Sequence, residues 1–282
     1  MLLLRLLSRC PLWFLHGLGT CVGWLSWLAS PSYRRRVREH RALAGLRGWQ
    51  GMGAVAQAGR MIVELPWLWL RPAGRPLGTR VRWEGEEHIR ALPPGRGLVF
   101  LTPHMGCFEV TAQAYAERFA ASHGAITVLY RPARKAWMRS IVAVSRQRPG
   151  LETAPATLSG VRQMLRALRQ GQAVGLLPDQ VPPLGQGVWA PFFGKPAYTM
   201  TLAQRLAQQT GASVLLVWGE RLSWGRGYVV HVRPGPQIPG DSSPECAAEL
   251  INQSMQALIL EAPDQYLWGY NRYKSPREGG LE

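Results

Sequence analysis

From Arg80 onward, short apolar runs alternate with segments of helical periodicity, and this alternation restricts the chain's folding more than any other feature. Strand-like runs lie at RVRWEG from Arg80, Leu98 to Leu101, Ile126 to Tyr130, Val174 to Leu177, Ser213 to Trp218 and Tyr228 to Val232. Between them, apolar residues recur at helical spacing over 107–119, 134–146, 158–169 and 199–210, the last closed by Gly211, and a further helix is expected at 243–260. Strands alternating with helices imply an α/β fold, a mixed sheet flanked by helices, with active residues at strand ends. Residues 190–200, APFFGKPAYTM, read as a turn-rich loop around a packed aromatic pair. No internal repeat, low-complexity segment or long linker interrupts the pattern.

The most informative strand end is GLVFLTPHMGCFEVTA, residues 97–112. Pro103 and Gly106 break the chain between an apolar run and a helix start, with His104 and Glu109 on either side of Gly106. On one helix, residues five apart lie roughly 140° from each other, so these two side chains could not share a face. With His104 in the turn and Glu109 in the first helical turn they can meet, because Gly106 permits a tight reversal. A carboxylate bonded to one ring nitrogen fixes the tautomer and strengthens the other as a base. The bland alternative is an ornamented helix start.

Charge narrows the partners. The chain carries 33 basic and 17 acidic residues, net +16, and only Lys135, Lys195 and Lys274 of the basic residues are lysines. Arginine suits phosphate and carboxylate, so anionic lipid, nucleic acid and phosphorylated substrates are candidates, while a GC-rich genome explains part of the bias. Cys10, Cys21, Cys107 and Cys246 have no metal-ligand spacing, so no metal site or disulfide framework is expected. Cys107 lies inside the turn, where it is either a small buried hydrophobe or a thiolate nucleophile paired with His104.

Residues 11–30 carry no charge and, as helix, would span about 30 Å, the thickness of a bilayer's hydrocarbon core. Arg34, Arg35, Arg36 and Arg38 follow, as beside anionic headgroups on the cytoplasmic side. Residues 1–40 therefore read as an uncleaved membrane anchor with a basic flank, and 41–282 as a cytoplasmic α/β domain; no clear cleavage site suggests a signal peptide. Gly48 to Leu70 reads as a second apolar, Trp-rich helix, either core or lipid-facing.

Other polar residues end strands: Tyr130 and Arg131 after one, Asp179 and Gln180 after VGLLP. Together TPHMGCFE, YRPARKAWM, LLPDQ, FFGKPAYTMTLAQRLAQQTGA and QYLWGYNRYKSP, in this order, resemble the lipid A biosynthesis acyltransferases, the bacterial lauroyl and myristoyl transferases of lipopolysaccharide assembly. The resemblance runs from the anchor to about Pro276. It implies an α/β enzyme, single-pass or monotopic at the inner membrane, moving an acyl chain from an acyl carrier protein thioester to a hydroxyl of a lipid A precursor of the Kdo-lipid IVA type. The family commonly has Asn-Trp before the Glu, where this chain has Cys107 and Phe108, and an acidic residue where it has Val181. Acceptor and chain length stay open, since related enzymes act on other membrane glycolipids or on amino-acid lipids.

On this reading His104 is the general base and Glu109 orients its ring, with no covalent intermediate, cofactor or metal. Backbone N–H groups of the turn, or Arg131, would serve the oxyanion, and Arg131 could instead hold a phosphate. Asp179 would anchor Arg131, contact a sugar hydroxyl, or cap the next segment; Tyr130 and Gln180 are further substrate-binding candidates. The basic surface would hold anionic membrane and dock the acidic carrier protein. A nucleic-acid face built from Arg146, Arg148, Arg162, Arg166 and Arg169 would explain the charge but not the turn, so no nucleic acid is expected. The sequence is silent on oligomeric state.

Overall fold

The computed structural model describes residues 2–72, 74–93, 95–130 and 148–278. Four helices open the chain: α1 (Leu2–Arg9), α2 (Leu12–Ala29), α3 (Pro31–Leu43) and α4 (Ala54–Trp69). Pro11 and Pro31 punctuate them, and the Ser30 hydroxyl caps α3 by accepting from the Tyr33 N–H at 3.3 Å. Helices α2 and α4 touch along a seam of glycines. A Cβ on Gly59 would stand 1.9 Å from the Gly19 carbonyl oxygen, and one on Gly23 2.1 Å from that of Val55. Only glycine allows backbones this close. One side of α2 buries Leu12, Leu15 and Trp27 while Trp13, Phe14, Leu25 and Leu28 stay exposed. Among the described residues it is the one helix long and apolar enough to cross a membrane.

The core is a seven-stranded mixed sheet in the order β1-β9-β8-β2-β5-β3-β4. Its strands are β1 (Val81–Glu84), β2 (Leu98–Leu101), β3 (Ile126–Tyr130), β4 (Leu151–Pro155), β5 (Ala173–Leu176), β8 (Ser213–Arg221) and β9 (Tyr228–Pro234). All neighbours pair in parallel except β8 with β9. The two central strands, LVFL of β2 and AVGL of β5, are buried at every position, as strands covered on both faces must be. Alternation divides the core in two. Val99 and Leu101 pack with α7 (Leu158–Arg169), α8 (Leu202–Thr210) and α9 (Pro244–Glu261); Leu98 and Phe100 pack with α2, α4, the short α5 (Glu87–Arg90) and α6 (Phe108–His123).

The segment 190–200 is not a loop. It lies in the hairpin of β6 (Gly187–Phe192) and β7 (Lys195–Met200), a separate two-stranded sheet. Phe193 and Gly194 turn it with φ of 47° and 74°, the positive values a tight hairpin needs. The strand at 151–155 was not anticipated, and the helix expected at 134–146 lies outside the described residues.

Candidate active site

Strand register builds the site. In the parallel pair β2–β5, Leu101 stands opposite Leu176, so both strands end level. Three residues beyond each end come His104 and Asp179. The His104 N–H donates to Asp179 Oδ2 at 2.9 Å, and ring Nδ1 lies 2.7 Å from Oδ1. A carboxylate only accepts, so Nδ1 carries the hydrogen and Nε2 of the neutral ring presents its lone pair. Burial pushes the Asp179 carboxyl up, but the adjoining His104 ring and N–H outweigh it and hold the carboxyl below the usual aspartate value. The His104 side chain stays 18% exposed above an Asp179 that is 2% exposed, so the ring is reachable and its partner is not.

This corrects the expected pairing. The ring-orienting bond at Nδ1 comes from Asp179, where the sequence suggested Glu109, and none of the three roles foreseen for Asp179 is this one. Glu109 begins α6 as expected and accepts from Trp69 Nε1 at 3.4 Å.

The turn between them is clamped from both sides. Gly106 has a φ of 53°, and a Cβ there would meet the Gly219 carbonyl oxygen at 2.0 Å. Its N–H donates to the Gln265 carbonyl at 2.9 Å, the Cys107 N–H donates to that of Gly219 at 2.7 Å, and the Met105 N–H donates to that of Pro103. With the His104 N–H on Asp179, all four N–H groups of 104–107 are engaged. The turn therefore has no backbone donor to spare for an oxyanion, contrary to expectation.

Beneath the turn lies a buried polar cluster that sequence reading missed. Arg221, at the end of β8, donates to both Glu64 oxygens, to Gln57 Oε1 at 2.6 Å and to the Gly106 carbonyl at 2.8 Å. Glu64 also accepts from the Tyr228 hydroxyl at 3.1 Å and lies 3.2 Å from His16 Nε2 of α2. Burial pushes the Glu64 carboxyl up, yet Arg221 and then His16 hold it down at about 2. The only sequence signal was an isolated Glu in an apolar helix. Cys107 is 2% exposed, and burial, reinforced by Glu64, pushes its thiol well above the ordinary range. That is the opposite of what a thiolate nucleophile needs.

A cavity of about 1160 Å³ opens where β2, β3 and β5 end, lined by His104, Glu109, Tyr130 and Gln180. Its wall is mainly apolar, running from buried Phe100, Ile126 and Val217 of the sheet to half-buried Met61, Leu65 and Trp69 of α4. Small-ligand pockets occupy ~300–1,000 Å³, so this one suits a larger, largely hydrocarbon ligand. Arg131 lies outside the described residues. Among the described residues, no three His, Cys, Asp or Glu side chains stand close enough to hold a metal ion. Arg148, one of the arginines of the nucleic-acid face that the sequence argued against, spends its Nη2 on the Leu68 and Arg71 carbonyls.

The family model for the bacterial lipid A biosynthesis acyltransferases matches residues 53–275, which include the turn at His104 and its partner Asp179. The chain belongs to this family. Among its relatives in the lipid A acyltransferase family are two proteins of Escherichia coli strain K12. A lipid A biosynthesis lauroyltransferase is 27% identical over 228 residues, 78% of this chain and 70% of the relative. A lipid A biosynthesis palmitoleoyltransferase is 28% identical over 224 residues, 77% of this chain and 69% of the relative. A crystal structure of the 1-acyl-sn-glycerophosphate acyltransferase PlsC from Thermotoga maritima aligns over 92% of this chain and 95% of its own, with a TM-score of 0.37 and 15% identity.

Proposed function

We propose that this acyltransferase moves a fatty acyl chain from an acyl carrier protein thioester to a hydroxyl of a lipid A precursor of the Kdo-lipid IVA type, on the cytoplasmic side of the bacterial inner membrane. One observation carries the reading: a histidine base, oriented by a buried carboxylate, on the wall of a mainly apolar cavity large enough for a lipid. His104 Nε2 takes the proton of the acceptor hydroxyl as its oxygen attacks the thioester carbonyl. Asp179 holds the ring and stabilises the imidazolium. The tetrahedral intermediate collapses by breaking the carbon–sulfur bond, and the proton passes from His104 to the departing thiolate. Glu109, on the wall of the same cavity, is the second catalytic carboxylate of this reading. Arg131 serves the oxyanion, a role left to a side chain because the N–H groups of 104–107 are engaged. Tyr130 and Gln180 contact substrate.

The apolar face of α2 supports an anchor held in the membrane, and the net charge of +16 supports attraction to anionic lipid and an acidic carrier. The test is transfer in detergent with carrier-protein thioesters of several chain lengths and a Kdo-bearing tetra-acylated acceptor, read by product mass. Wild type and Cys107→Ala should both make the acylated glycolipid, and His104→Ala should make none. Acylation of an amino-acid lipid instead would refute the acceptor, and release of free fatty acid alone, lost in Cys107→Ala, would refute the transfer.

A further inference from the structure

A second cleft, of about 600 Å³, lies where α1 meets the segment following α4. Arg5, Arg9, Arg71, Arg75 and Arg80 line it with Trp67, and among the described residues no carboxylate does. Arg5 and Arg9 stand four apart on α1 and share a helix face. Arg80 and Arg71 lie over the Trp67 ring, 5.5 and 5.9 Å from its centroid, which holds each guanidinium against an aromatic face. Arg71 is buried and uses Nη2 for Glu117 at 2.9 Å and for Gln113 Oε1 at 3.0 Å. Its Nε and Nη1 are buried with no hydrogen-bond partner among the described residues. Glu117 is also the one carboxylate in ion-pair contact with any of the five among those residues. Clustered positive charge of this kind focuses a field on the cleft and is relieved by an anion.

We infer that this cleft binds the phosphomonoester of a membrane amphiphile, contacted by Arg75 and Arg80 with Arg71 behind them. A dianionic, multi-acceptor group is what several forked guanidinium donors match. The membrane source follows from α1 itself. Leu3 and Leu6 are 67% and 54% exposed beside Arg5 and Arg9, and the adjoining α2 exposes Trp13 and Phe14. A helix with an apolar and a basic face lies in the membrane interface, which brings the cleft to headgroup height. The cleft also adjoins the catalytic cavity, because Gln113, which accepts from Arg71, lines that cavity. Taking the bound lipid to be the acceptor rests on the acyl-transfer reading; the binding itself does not.

The experiment measures vesicle binding by the full chain in a His104→Ala background, so that no turnover alters the lipid. Phosphatidylcholine vesicles are used plain, doped with phosphatidic acid, and doped with a bis-phosphorylated glucosamine disaccharide lipid. Doped vesicles should bind more tightly than plain ones, and Arg75→Ala with Arg80→Ala should cut affinity for them about tenfold or more, leaving plain vesicles unchanged. Arg75→Lys with Arg80→Lys, which keeps charge and fold but not the fork, should give an intermediate loss. Three results would overturn the site: no loss in either variant, an equal loss on plain vesicles, or a loss confined to acyl carrier protein binding. Free inorganic phosphate binding as tightly as doped vesicles would overturn the membrane source. A wild type without transfer activity that still shows the expected difference would refute the proposed function and leave the site standing.

Discussion

Glu64→Gln would leave the Arg221 guanidinium buried against a neutral partner. Both side chains are fully buried, so neither can be rescued by water. The Glu64 carboxyl is held at about 2 against an ordinary 4.5. At about 1.4 kcal/mol per tenfold in proton affinity, that difference is worth about 3 kcal/mol of folding stability. The usual loss on breaking a buried ion pair, ~3–5 kcal/mol, agrees with it. For a chain of this size such a loss lowers the Tm by roughly 5–8 °C. Thermal unfolding of detergent-solubilised wild type and variant, followed by circular dichroism from pH 7 downward, measures it. The folded pKa is the lower one, so the wild-type advantage is fully present above about pH 4.5 and is lost as pH falls through about 2. Glu64→Leu combined with Arg221→Met should recover much of the loss, since it leaves no unpaired charge. Transfer by Glu64→Gln should fall as well, because Arg221 holds the Gly106 carbonyl. A Tm gap that persisted undiminished at pH 2 would refute the charge argument and assign the loss to packing.

Two further substitutions probe the site and its cavity. Asp179→Asn should reduce kcat about 10³–10⁴-fold with the protein still folded, by analogy with other histidine bases deprived of their carboxylate; a loss below tenfold in steady-state assays would leave the ring oriented by something else. Gly175 lines the cavity at the centre of β5, and a Cβ there would meet Val128 Cγ1 at 3.2 Å and Ile126 Cδ1 at 3.8 Å. Gly175→Val therefore fills cavity space and should shift the preferred thioester toward shorter chains, read by product mass; an unchanged preference would mean that the acyl chain lies elsewhere.

How far the sequence led depends on the range of the interaction concerned. The helix at 158–169 and the strands at 98–101 and 126–130 occupy the residues that periodicity assigned, because burial on one or two faces writes its period into neighbouring residues. The hairpin at 187–200 was obscured by Pro191 and Pro196, which look like breakers but are tolerated in a two-stranded sheet with free edges. Strand 151–155, LETAP, carries too few apolar residues to stand out. His104 and Glu109 were found because they share one turn. The bond between His104 and Asp179 spans 75 residues, and that between Arg221 and Glu64 spans 157. No local period records which strands become neighbours, so neither pairing was legible: His104 and Asp179 stood out singly at their strand ends, while Glu64 and Arg221 did not stand out at all.

The level ends of β2 and β5 also set when His104 meets Asp179. Two other strands and two helices intervene between them in the described chain, so the pair forms only after a long crossover has closed. Contacts this remote in sequence carry a large loop-closure cost and are made late in folding. On the mechanism proposed above, a nascent or half-folded chain therefore holds its histidine without the carboxylate that arms it, and reactivity is born together with the cavity that confines it.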